Sequence, residues 1–244
     1  MPDVREVPVQ PLTLAVDAVT PPVSALYQPV ASARALLVLA HGAGANMAHS
    51  HMAALAAAFA SVGIATLRFN FPFMQGPTRR PPNSRAVCLA TLAAAMVEAR
   101  QLAPQLPLLL GGHSFGGRMA SHFVHAQQEQ GLPCCQGLVY CSFPLHPAAQ
   151  PATKRAAHLP ALVVPQLFLS GSRDGLARTD LLTAVVAQLP LARLHLLAGA
   201  DHSFQRLKRG PQAPDAYLDA AAATAAWLQA APMGGSAGAP VATS

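Results

Sequence analysis

The chain predicts an α/β domain: a mostly parallel, doubly wound sheet of about eight strands, helices on both faces, and no large cap. Three observations predict it. Short apolar runs suited to strands alternate with longer segments suited to helices along nearly the whole length. The run from Ala35 to Ala40 is continuously apolar, as a strand buried on both faces requires. At 244 residues, with 52% hydrophobic and 11% charged side chains, the chain is long enough to bury a substantial core in one domain.

Taken in order, residues 1–10 are polar, contain proline, and are expected to be flexible. Leu12 to Asp17 alternates, and Val23 to Tyr27 follows Pro21 and Pro22, which together suggest two antiparallel strands at a sheet edge. The strand from Ala35 to Ala40 ends in His41-Gly42-Ala43-Gly44. An alanine-rich helix over 52–62 closes on Gly63, and Ile64 to Phe69 is the next strand. The four prolines in 70–82 exclude regular structure there. Ser84 is the expected cap of a long helix reaching Leu102, stopped by Pro104. A strand to Leu110 meets Gly111-Gly112, and a helix runs from Arg118 to Gln130. Strands over 137–143, 166–170 and 193–197, and helices over 179–188 and 215–229, complete the alternation. The domain is thus expected over 11–231, followed by a disordered Gly-, Ala- and Ser-rich tail over 232–244. Between Phe143 and Gln166 only about twenty proline-broken residues remain, too few for a large cap.

Composition restricts the partners. No apolar stretch reaches the roughly 18 residues of a spanning helix, and Met1 to Glu6 carries acids with no apolar run behind it, so the expectation is a cytoplasmic protein without membrane contact. The net charge of +6 raises nucleic acid as a partner, but the only basic clusters, Arg79-Arg80 and Arg206 to Arg209, lack interleaved aromatics. Nucleic acid is therefore not expected. Cys88, Cys134, Cys135 and Cys141 make no metal-type pair and read as reduced thiols. No metal and no cofactor are expected, and the chain reads as a monomer or homodimer.

The chemistry centres on Gly112-His113-Ser114-Phe115-Gly116. A serine held in a strained strand-to-helix turn needs glycines on both sides, because a Cβ there would strike neighbouring elements. Such a serine needs an imidazole to take its proton and a carboxylate to fix that imidazole's tautomer. In doubly wound sheets both belong on loops at the carboxyl ends of strands. After Ser114 the acids are Glu129, Asp174, Asp180, Asp201, Asp215 and Asp219. Only Asp174 and Asp201 lie on such loops. The later histidines are His195, in mid-strand, and His202, in the loop after that strand. His202 is the base. Asp174 is the acid, with Asp201 as its rival, disfavoured because adjacent side chains diverge. The Phe115 amide follows the nucleophile and is one oxyanion donor; the glycine-flanked Ala43 amide is the second.

His41-Gly42-Ala43-Gly44, Gly112 to Gly117, Ser170 to Asp174 and Gly199 to His202, in that order, resemble the α/β-hydrolase superfamily over roughly residues 11–230. Arg68-Phe69-Asn70-Phe71-Pro72-Phe73 and Gly116-Gly117-Arg118 look like a small dienelactone-hydrolase-related group. That group includes the hydrolase-like domain of a non-specific-lethal chromatin complex subunit and its bacterial relatives. The resemblance implies the α/β-hydrolase fold and the order Ser, Asp, His. Dienelactone hydrolases use a cysteine nucleophile where this chain has Ser114, so their substrate is not carried over.

Gly42, Asn70, Phe71, Phe73 and His113 are candidate substrate-binding residues, with loop packing as the alternative. His41 reads as a loop-shaping residue, His49 and His51 as a surface pair at a helix start, and Arg118 as a loop anchor rather than a contact for an anionic substrate group. The expected function is a serine hydrolase, carboxylesterase-like, that cleaves a carboxylic ester or thioester of a small-molecule acyl substrate through an acyl-enzyme. A hydrolase-shaped interaction module with little turnover, or a serine peptidase of the same fold, are the alternatives.

Overall fold

A computed structural model describes residues 8–76, 82–132, 134–206 and 215–230. The expected flexible start, the Arg79-Arg80 pair, residues 207–209 and the tail over 232–244 lie outside these residues, apart from 8–10. Eight strands form one sheet: β1 (Gln10–Leu14), β2 (Val23–Gln28), β3 (Ala35–Ala40), β4 (Ile64–Phe69), β5 (Leu108–His113), β6 (Gly137–Cys141), β7 (Gln166–Gly171) and β8 (Ala192–Leu197). Five helices accompany them: α1 (Ser50–Ser61), α2 (Arg85–Leu102), α3 (Phe115–Glu129), α4 (Thr179–Ala187) and α5 (Ala216–Ala230). The strand order is β1-β2-β4-β3-β5-β6-β7-β8. β1 and β2 pair antiparallel, β2 joins β4 antiparallel, and every pairing from β4 to β8 is parallel.

The continuous apolar runs find their reason in this arrangement. Alternate residues of β3 point to opposite faces: Leu36, Val38 and Ala40 join the layer with Leu92, Met119 and Phe123, whereas Leu37 and Leu39 join Met52, Phe59 and Trp227. Thus α2, α3 and α4 cover one face and α1 and α5 the other. Every residue of β3, β4, β5, β6 and β7 is buried. Within this buried layer Tyr140 is satisfied by donating its hydroxyl to Gln166 at 3.0 Å, whereas Thr66 Oγ1 and Ser170 Oγ are buried without a partner.

Three expectations shift at their edges. The first strand starts at Gln10, paired with Tyr27, and stops at Leu14 rather than Asp17, so Gln10 belongs to the sheet and not to a flexible start. The Asp17 carboxylate instead accepts the amides of Val19 (2.9 Å) and Thr20 (2.6 Å), closing a turn. The loop after β4 contains a 3₁₀ turn over Pro72–Met74, a conformation that suits proline at its start. Between β6 and β7 lie two further 3₁₀ turns, Lys154–Ala156 and Leu159–Ala161, and no helical cap among the described residues.

Candidate active site

In the parallel part of the sheet Ala40, Phe69, Gly112, Tyr140 and Phe168 stand in register, so the loops after these strands open at one edge. Ser114 follows β5 directly and has φ 52° and ψ −115°, a backbone conformation that costs a non-glycine residue about 1–3 kcal/mol. Its amide donates to Cys141 O at 3.0 Å and its carbonyl accepts from Arg118 N at 3.1 Å, which lock the turn from both sides. The flanking glycines are required by contact. A Cβ on Gly112 would collide with the Ala40 carbonyl oxygen, and one on Gly116 would come within 2.7 Å of His41 O.

The loop after β8 delivers His202. Its Nε2 lies 2.8 Å from Ser114 Oγ, and its Nδ1 lies 2.9 and 2.8 Å from the two carboxylate oxygens of Asp174. Nδ1 therefore carries the proton and donates to the carboxylate, leaving Nε2 to accept from the serine hydroxyl. The Asp174 side chain is fully buried and that of His202 is 20% exposed, so the pair is dry on the acid side and open on the serine side. Asp174 Oδ1 also accepts from Leu176 N at 2.7 Å, which fixes the carboxylate in its own turn. The Asp201 carboxylate points elsewhere and accepts the amides of Ser203 (2.8 Å) and Gln205 (2.9 Å).

A layer of histidines stands behind this row. His113 Nε2 donates to the carbonyl of His202 at 2.9 Å and holds the base from behind. Burial, then the neighbouring His51 and His202, push its pKa well below the usual histidine value, so it is a neutral donor. The ring of His51 meets that of His113 at 4.3 Å. Tyr217 gives its hydroxyl proton to Ser203 O at 3.2 Å, and so accepts from His51 Nδ1 at 2.9 Å. This corrects the reading of His51 as a surface residue: it is 8% exposed, because α5 closes over the start of α1. His49 alone caps that helix, its ring nitrogen accepting from His51 N at 3.2 Å.

The loop after β3 lies against the elbow. A Cβ on Gly42 would sit 3.6 Å from Ser114 Cβ, with Ala43 next in the chain. His41, wholly buried, braces this loop: Nδ1 donates to Gly42 O at 2.8 Å and Nε2 accepts from Phe71 N at 3.0 Å. The bond accepted at Nε2 needs the neutral ring, and burial lowers its pKa to about 4. Asn70 accepts from Met47 N at 2.9 Å, and Arg68 donates to Met47 O at 3.0 Å, tying the far end of the same loop. Phe71 and Phe73 stack at 5.8 Å and support the Phe115 ring edge-on at 5.6 and 5.8 Å. Both are buried in the core. Among the described residues no group of three or more His, Cys, Asp and Glu side chains forms a metal site, and no helix is long and apolar enough to cross a membrane.

A nucleophile elbow after the fifth strand, with Asp and His on later edge loops, defines the α/β-hydrolase class. The chain belongs to the family described as "Alpha/beta hydrolase domain", whose family model matches residues 33–229. Solved structures share the fold at low identity. A dienelactone hydrolase from Anabaena variabilis superposes with a TM-score of 0.72 at 18% identity, over 93% of this chain and 99% of that one. An α/β serine hydrolase without a lid from Xanthomonas campestris gives 0.61 at 19%, over 91% and 92%. The esterase domain of a Rhodothermus marinus protein gives 0.64 at 16%, over 91% and 99%.

Proposed function

We propose that this chain is a serine hydrolase that cleaves a carboxylic ester or thioester of a small acyl substrate through an acyl-enzyme on Ser114. The observation that carries the reading is His202, which reaches Ser114 Oγ at 2.8 Å with one nitrogen and the Asp174 carboxylate at 2.8 Å with the other. Three groups from three separate loops in one line serve no packing purpose that apolar residues would not serve better, and proton transfer from an alcohol requires that line.

In the first step His202 Nε2 takes the hydroxyl proton as Ser114 Oγ adds to the acyl carbon. Asp174 stabilises the imidazolium so formed. The negative charge that develops on the carbonyl oxygen is received by the amides of Phe115 and Ala43, each worth about 3 kcal/mol of barrier. His202 then protonates the leaving alkoxide or thiolate, the acyl-enzyme forms, and water activated by the same imidazole releases the acid. No cofactor enters this scheme. The short connection between β6 and β7 leaves the edge uncovered, which favours small or solvent-exposed esters over long acyl chains sheltered beneath a cap.

A panel of p-nitrophenyl acyl esters and acyl thioesters tests the proposal. Turnover is expected on short acyl chains, and Ser114→Ala is expected to lower it by about a million-fold, to background. Absence of turnover on every ester and thioester, together with cleavage of peptide substrates, would shift the reading to a peptidase. Absence of all turnover with capture of a stable partner would favour an interaction module.

A further inference from the structure

Six basic side chains converge on a cavity of about 480 Å³ whose lining includes none of Ser114, Asp174 and His202. Arg85 comes from the start of α2, Arg118 and His122 from α3, and Lys154, Arg155 and His158 from the connection between β6 and β7. No carboxylate lines the cavity. Among the described residues none of these four Lys and Arg side chains is ion-paired. The Arg118 Nε is buried and has no hydrogen-bond partner, and its guanidinium lies 5.8 Å from the centre of the Phe115 ring. Among the described residues Arg155 donates to Pro144 O alone, at 3.3 Å.

At the inner end of this cluster Arg118 Nε is an unsatisfied buried donor, while Arg85 and Lys154 lie at the exposed rim. His122 and His158 stack at 3.9 Å, 19° from parallel. Ser121 gives its hydroxyl proton to Arg118 O at 2.8 Å, so His158 Nε2 donates to Ser121 Oγ at 2.8 Å and its Nδ1 is left as an acceptor. Desolvation, followed by the neighbouring histidines and then by Arg85 and Arg118, lowers His122 to about 3 and His158 to about 4. Arg118 is lowered too, by burial and then by Arg155 and Arg85. An arrangement kept for stability would pair Arg118 Nε, since an unmatched buried donor costs more than a matched one returns. What the cavity lacks is an anion.

We propose that this cavity binds a phosphorylated small molecule. Three guanidiniums present fork-shaped donors matched to phosphate oxygens, and four permanent cations call for a ligand with two or more negative charges. The volume lies within the roughly 300–1,000 Å³ of small-molecule pockets. The assignment is independent of the reading of Ser114 as a nucleophile.

Titration calorimetry of the whole chain with inorganic pyrophosphate, at fixed ionic strength and near neutral pH, tests it, with citrate as the comparator. Saturable binding at one site is expected with Kd below about 1 mM. Arg85→Gln and Arg155→Gln should each weaken it about tenfold or more at unchanged Tm, because Arg85 is exposed and Arg155 only half-buried. Arg193→Gln, an exposed cation on β8, should leave it unchanged. Lack of saturation at about 10 mM, an equal loss in Arg193→Gln, or tighter binding of citrate than of pyrophosphate would overturn the assignment.

Discussion

Ser114 holds its place through side chains the sequence marks only faintly. That Ser114, His202 and Asp174 meet was legible because each chemical type has few candidates on edge loops: two later histidines, of which one is in mid-strand, and two loop acids. The residues behind them were not. His51 was set on the surface, because nothing in a linear pattern tells that α5 folds over α1 and brings Tyr217 to His51, and His113 was read as a candidate substrate residue or a locally hydrogen-bonded one, without its bond to His202 being foreseen. The Nε2–H of His113 holds the His202 carbonyl at 2.9 Å, and under the proposed function His113 is expected to position His202. His113→Leu is expected to lower kcat by about ten- to a hundredfold with KM little changed, and to shift the acid limb of the pH–rate profile. His113→Gln, which keeps an amide donor, should recover part of the rate. A change in Tm alone, with rate and profile intact, would mean that His113 only fills space.

Among elements, the elbow was readable because its glycines answer a contact rather than a preference. Gly116 faces the carbonyls of Ala40 and His41, so a side chain there meets backbone that cannot swing away. Gly116→Ala is expected to destabilise the fold by about 1–3 kcal/mol in chemical denaturation and to abolish activity, since the loop carrying Ala43 must move. Wild-type stability would contradict the packing described. The strands from β3 to β7 were legible from continuous apolar runs, because burial on both faces removes the alternation that polar faces impose. Boundaries were less so. The end of β1 was read three residues too far, because Asp17 spends its carboxylate on the amides of a turn, a local choice that competes with pairing. The start of α1 was read two residues late, because a histidine ring, an unusual cap, supplies the acceptor.

Across the whole molecule, the layered sheet could be read from the alternation of segments, but the basic cavity could not. Arg85, Arg118 and Arg155 are scattered along the chain, and only the approach of α2, α3 and the segment before β7 unites them. The scatter of charge that argued against nucleic acid thus concealed a local concentration. The fold also buries histidines in the neutral form, with consequences for pH. Burial lowers His41 and His51 from 6.5 to about 4, and holds His113 well below its ordinary value. The unfolded chain takes up protons on these groups below about pH 6.5 while the folded chain does not, so stability is lost as pH falls from 6.5 towards 4 and is unaffected by them above 6.5. Each of the three contributes on the order of 1 kcal/mol per pH unit within that window. Denaturation midpoints measured from pH 8 to 4 should stay level at first and then fall steeply below about 6.5; a flat profile down to 4 would contradict the neutral, buried assignment.

The central claim is that His202, oriented by Asp174, makes Ser114 a nucleophile. Labelling with a fluorophosphonate probe followed by peptide mass spectrometry tests it most directly. The account predicts one modified residue, Ser114, with labelling lost in Ser114→Ala and His202→Gln and slowed about ten-thousand-fold in Asp174→Asn. A folded protein that takes up no probe, or that is labelled equally in Ser114→Ala, would contradict it.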